Sequence, residues 1–146
     1  MFGSFFARLT AAQPGSLPAE DCRLALTALL VRVARSDGHY DKEEQARILE
    51  VTQARYELSE ADALALRSEA EALEEEAPDT VRFTRDIKEA VPIEERIKVI
   101  EALWQVALAD GQRDEHEDAL LRLVASMLGI NDRDNALARQ RVERQS

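Results

Sequence analysis

Apolar positions recur along the chain at helical spacing and never gather into an alternating run. Residues 19–36 are almost continuously apolar. Leu24, Leu26, Leu29, Leu30, Val31 and Val33 fall on several sides of a helix, which predicts a helix buried nearly all round. Asp37-Gly38 ends it, Gly38 being free to take the left-handed cap position. A helix from about Asp41 to Tyr56 follows, with Ile48, Val51 and Tyr56 on its apolar side. Ser59 reads as the N-cap of the next, through Leu64, Leu66, Ala70 and Leu73. Pro78 fits the first turn of a connecting helix, residues 78–91. Pro92 opens a second long buried helix with Ile93, Ile97, Val99, Ile100, Leu103, Trp104, Val106 and Leu108, closed by Asp110-Gly111. A helix from about Asp114 ends at Gly129, and Asn131 caps a last one. The expected fold is all-α, with seven or eight helices.

The two halves repeat. A shift of 73 positions carries Ala34 onto Ala107, Asp37 onto Asp110, Gly38 onto Gly111, Asp41 onto Asp114 and Glu44 onto Glu117. It also carries Leu30 onto Leu103, Val33 onto Val106, Ile48 onto Leu121 and Val51 onto Val124. After one deletion, Leu58-Ser59 falls on Ile130-Asn131. The pattern predicts two pseudo-twofold helix–loop–helix repeats, about 19–77 and 92–146, packed around two buried central helices. Residues 1–18 form an N-terminal segment of short helix plus turn, set off by Pro14-Gly15-Ser16-Leu17-Pro18. Its phenylalanines, Phe2, Phe5 and Phe6, suit docking on the core or contact with a partner or membrane; docking is the expectation.

Each repeat carries Asp-Gly-x-x-Asp-x-x-Glu. Much of it is helix punctuation: Asp41 with Glu44, and Asp114 with Glu117, have the spacing of N-cap and N3 in a capping box. Asp37 and Asp110 are different. Each sits at the end of a long helix, where the dipole disfavours an anion by about 0.3–1 kcal/mol. Three carboxylates crowded in one loop repel unless neutralised. A hard divalent cation would relieve this through oxygen ligands, and Arg35 or Lys42 could do so in part. The candidate metal ligands are therefore Asp37, Asp41, Glu44, Asp110, Asp114 and Glu117, with Ca²⁺ or Mg²⁺ favoured over Zn²⁺. The spacing touches that of an EF-hand, but Val33, Arg35, Val106 and Leu108 stand where the first and third ligands belong, so that motif is rejected.

Charge narrows the partners. At a formal −10, the surface disfavours nucleic acid and anionic membranes and favours cations and basic protein surfaces. No apolar run is long enough to span a bilayer, and the N-terminus lacks a basic leading segment, so the cytoplasm is expected. The lone Cys22 cannot pair within the chain and reads as a core thiol. His39 and His116 fall on Gln112 and Glu43 under the repeat, which rules out a repeated histidine site. Glu69 to Glu76 reads as a solvated acidic face, and Trp104 as core. No nucleophile elbow, phosphate loop or zinc-protease motif occurs, so no enzyme is expected.

At Val33-Ala34-Arg35-Ser36-Asp37-Gly38-His39-Tyr40-Asp41-Lys42-Glu43-Glu44 and Val106-Ala107-Leu108-Ala109-Asp110-Gly111-Gln112-Arg113-Asp114-Glu115-His116-Glu117 the chain resembles the TerB-like family, named for a bacterial tellurite-resistance protein. The resemblance spans residues 20–144 and places residues 19–146 in a TerB-like helical domain. It implies an all-α domain of pseudo-twofold repeats that binds divalent metal through the acidic loops and attaches to protein partners in stress response. A dimer is compatible with it. The alternative is a purely structural interaction module, its acidic loops serving as caps and its acidic surface docking a basic partner.

Overall fold

The computed structural model describes residues 2–36, 38, 40–108 and 115–145, with the backbone alone for 115–117. Among these the chain is all-helical, with eight helices: α1 Gly3–Ala11, α2 Ala19–Arg35, α3 Lys42–Tyr56, α4 Glu60–Glu76, α5 Thr80–Ala90, α6 Ile93–Leu108, α7 Glu115–Met127 and α8 Asp132–Gln145.

The continuous apolar run of α2 makes it the hub. It packs on α3, α4, α5 and α6, so that no side of its middle faces water. Leu26, Ala28, Leu29 and Val31 are at most 1% exposed. Truncating a leucine such as Leu29 at such a site costs about 2–5 kcal/mol. The second long helix departs from expectation. Only the middle of α6, from Val99 to Trp104, is buried; Ile93 is 45% exposed, while Ile97, Val106 and Leu108 are half-buried. α6 packs on α2, α3, α7 and α8, which bury its middle and leave its ends nearer the surface.

Short-range chemistry sets the boundaries. The Ser59 hydroxyl accepts from Asp62 N at 3.1 Å and the Asn131 side-chain oxygen from Asp134 N at 2.8 Å, each an N-cap bond. α5 starts later than Pro78 suggests. Asp79 is its N-cap, accepting from Arg82 N at 3.0 Å, because proline has no side-chain acceptor to offer. α3 ends at Glu57 with φ +53, and α7 at Gly129 with φ +76. Behind these caps, Leu58 N donates to Gln53 O at 3.0 Å and Ile130 N to Ala125 O at 2.8 Å, the same long closing bond in both halves. These pairs fall on each other under the predicted repeat. α2 also packs on α3 and α4 as α6 packs on α7 and α8.

The N-terminal segment is docked. Phe5 and Leu9 are buried in the common core, Phe2 and Phe6 pack against it, and α1 lies on α5. Backbone bonds from Gly15 N to Glu89 O and from Leu17 N to Ala90 O, both 3.0 Å, tie the turn down. Buried hydroxyls are satisfied within their own helices: Thr27, Thr52 and Thr84 donate to the carbonyls of Arg23, Ile48 and Thr80. No described helix is long and apolar enough to cross a membrane.

Candidate functional site

The first acidic loop joins α2 to α3. Ser36 closes α2, its N–H and hydroxyl both reaching Val33 O, and Gly38 N donates to Arg35 O at 3.0 Å. Gly38 has φ +83, the left-handed conformation that a side chain would strain. Asp41 is the N-cap of α3, its Oδ1 accepting from Glu44 N at 2.9 Å. The structure thus brings Asp41 and Glu44 together at the first turn of α3, as the capping spacing predicts. Asp37, His39, Asp110, Gly111 and Asp114 lie outside the described residues, as do the side chains of His116 and Glu117.

Behind the loop stands a network linking α2 to α4. Arg35 donates to Glu74 Oε2 at 2.7 Å and lies 4.9 Å over the Tyr40 ring. Arg32 donates to Glu74 Oε1 at 2.8 Å, to Glu74 O at 3.1 Å, to Pro78 O at 3.0 Å and to Thr80 Oγ1 at 3.2 Å. Glu74 is 8% exposed, so its charge is held by two guanidinium groups rather than by water. This corrects the expectation of a solvated face at Glu69 to Glu76. Exposed Glu75 and Glu76 fit that description, whereas Glu74 does not.

Tyr40 carries the network into the loop. Its hydroxyl donates to Glu71, and its carbonyl accepts from Gln45 Nε2 at 3.2 Å. Arg67 then joins α4 to α3, donating to Gln45 O at 3.1 Å and lying 3.7 Å from Glu71. Burial foremost, then the bond to Glu71, pushes the Tyr40 phenol above its ordinary range, so it remains a neutral donor. Arg35, which could have neutralised the loop, is therefore engaged by Glu74 and Tyr40.

The family model described as tellurite resistance protein TerB matches residues 23–140. The chain belongs to the TerB family. No curated protein and no solved structure matches it. The TerB match runs from α2 into α8, takes in both acidic loops and leaves α1 outside. Among the described residues of this TerB chain, no three His, Cys, Asp or Glu side chains are grouped as a metal site would group them. Two of the six candidate ligands, Asp41 and Glu44, fall within the residues whose side chains are described.

Sequence reasoning missed Arg32, Tyr40, Glu71 and Glu74 as the support of the loop. Arg32 and Glu74 are 42 positions apart, beyond the reach of any periodicity. A usable signal was Arg32 itself, a charge inside the apolar run of α2 that burial obliges to find a partner.

Proposed function

We propose that this chain is a non-enzymatic TerB-family domain that binds a divalent cation weakly through its two acidic loops. The ligands would come from Asp37, Asp41 and Glu44, and from Asp110, Asp114 and Glu117. The domain would act as an adaptor or sensor in metal or tellurite stress. The observation that carries the reading is the engagement of Arg35. That guanidinium is bonded to Glu74 and lies over the Tyr40 ring, so its charge is already shared with a carboxylate outside the loop. The donor chemistry fits a hard cation. Asp41 uses one carboxylate oxygen for its cap and has a second to offer, while the lone thiol, Cys22, is buried and donates to Leu17 O. Ca²⁺ or Mg²⁺ suits such oxygens better than Zn²⁺.

Calorimetric titration with Ca²⁺, Mg²⁺, Mn²⁺ and Zn²⁺ tests it. Weak binding to the wild type that disappears in Asp37→Asn with Asp110→Asn supports the proposal. Absence of both heat and thermal shift with all four ions at millimolar concentration removes its metal half. The adaptor half predicts that the set of co-purifying proteins changes when the bound ion is chelated. The second reading, a structural interaction module, is favoured by the cap bond of Asp41 and the left-handed Gly38. It predicts that the same double substitution is neutral or stabilising in chelator and that ions leave the melting temperature unmoved.

A further inference from the structure

The two most exposed large apolar side chains among the described residues are Val81, at 63%, and Leu123, at 55%. They belong to one seam. α5 packs on α7, with the Thr84 hydroxyl on Met127 Sδ at 3.4 Å. Further along, a methyl group at Gly129 would stand 2.9 Å from Lys88 Cε, so the two helices run side by side in the same direction. One turn back from Thr84 on α5 is Val81, and one turn back from Met127 on α7 is Leu123. Leu120 and Met127, half-buried against the core, extend the apolar strip along α7.

The flank of this strip is basic. Arg85 and Lys88 follow Val81 at helical spacing of four and seven, on the same side of α5, and both are exposed. Neither is in an ion pair with another described residue, whereas eight other cations of the chain are. Asp86, next to Arg85 in sequence, feels the charges of Arg85 and Arg82, and Glu89 follows Arg85 by one turn. A chain of net charge −10 thus presents an apolar strip with two exposed cations beside it, neither in a direct ion pair with a described residue.

We propose that the α5–α7 seam docks an amphipathic helix with an acidic flank from a partner protein, its apolar side on Val81, Leu120, Leu123 and Met127 and its carboxylates on Arg85 and Lys88. A groove between two helices is the shape that receives a third. Methionine and leucine side chains adapt to the ridges of such a partner. The net charge of the chain opposes an anionic bilayer and self-association alike, and two cations meet a peptide more readily than they anchor a surface.

The experiment uses the full chain, ¹⁵N-labelled, and a synthetic helical peptide of about 20 residues with leucine at helical spacing and glutamate elsewhere. A matched peptide with lysine in place of glutamate is the control. The expected result is shift changes confined to α5 and α7, saturating with the glutamate peptide and absent with the lysine one. Leu123→Glu, and Arg85→Glu with Lys88→Glu, should each weaken binding at least about tenfold. Because these side chains are exposed, the melting temperature should stay put, which separates lost binding from lost fold. Failure of the glutamate peptide to bind, or equal binding of both peptides, overturns the proposal. So does sedimentation with phosphatidylserine vesicles that Leu123→Glu abolishes, which assigns the seam to a membrane. A dimer dissolved by Leu123→Glu assigns it instead to a second copy and equally overturns the proposal.

Discussion

Set on each other by the predicted shift, the α2–α4 half and the α6–α8 half match in several caps and one ion pair and differ in where they place their polar anchors. Shared are the caps Ser59 and Asn131, the left-handed Glu57 and Gly129, and the ion pairs Arg67–Glu71 and Arg139–Glu143. In the first half the anchor lies at the loop end: Arg32 and Arg35 clasp Glu74, and Tyr40 reaches Glu71. The repeat puts Gln105 and Leu108 where those arginines stand. In the second half the buried anchor is Trp104 Nε1 donating to Asn135 Oδ1 at 2.9 Å, while the more exposed Glu101 is held by Arg141 and, from the first half, by Arg55. The first-half counterparts of Trp104 and Asn135 are Val31 and Ala63, both fully buried and apolar. Two loops with the same acidic motif therefore have different foundations. The first is tied to α4 through the charges of Arg32 and Arg35, and Gln105 and Leu108, at the matching positions of the second half, carry no such charge.

The largest expected break in this comparison is Glu74→Ala. It leaves two partly buried guanidinium groups facing each other without their carboxylate and should cost about 3 kcal/mol in denaturant unfolding. A loss under about 1 kcal/mol would mean that water replaces Glu74 and that the first half has no special anchor. Trp104→Phe strikes the other half. It removes the indole donor and strands Asn135 Oδ1 in a buried site, for about 2 kcal/mol. Because Val31 and Ala63 need no such bond, Val31→Ile should show no comparable polar penalty.

The matching caps can be tested by exchange. Glu57→Gly relieves a side chain held at φ +53 and should stabilise by about 1 kcal/mol. Gly129→Ala should destabilise by a similar amount, about 1 kcal/mol. Its new methyl would meet Arg96 Nη1 at 3.1 Å, on the guanidinium that donates to Leu128 O, as well as the flexible Lys88. Opposite signs at the two positions confirm that they do the same job with different residues; equal signs break the equivalence.

A smaller effect separates the N-terminal ends of α2 and α6, where the repeat sets Cys22 opposite Glu95. Burial first, then the charges of Glu95 and Asp21, pushes the Cys22 thiol up to about 11 from its ordinary 9. The unfolded chain thus loses this proton before the folded one does. The corresponding stability is present below pH 9 and is lost as pH rises through about 11. Cys22→Ala should flatten urea midpoints across that window, and native Cys22 should resist alkylation at neutral pH until the chain unfolds.

Much of the fold was legible because it rests on neighbours in sequence. Ser59, Asn131, Gly38 and Gly129 act within a turn of themselves, and the apolar run from 19 to 36 declares a central helix. Where a local signal misled, a competing local acceptor decided: Asp79 took the cap ahead of α5. The support of the first loop was not legible. It depends on α2 and α4 lying together, and helical spacing makes Glu74 look like any other residue of an acidic helix end. Of the site itself, the cap role of Asp41 was readable from its spacing to Glu44. The excess of Asp37 and Asp110 over what helix rules require remains the reason to look for an ion.

The most direct measurement of the central claim is residue-resolved NMR of the ¹⁵N-labelled chain titrated with Mn²⁺, whose unpaired electrons broaden nearby amides. Cation binding at the acidic loops predicts that signals of Gly38, Tyr40, Asp41, Gly111 and Asp114 fade first and that excess Mg²⁺ restores them. Broadening that spreads over Glu75, Glu76 and the other exposed carboxylates, or that leaves both loops untouched at millimolar ion, would contradict it.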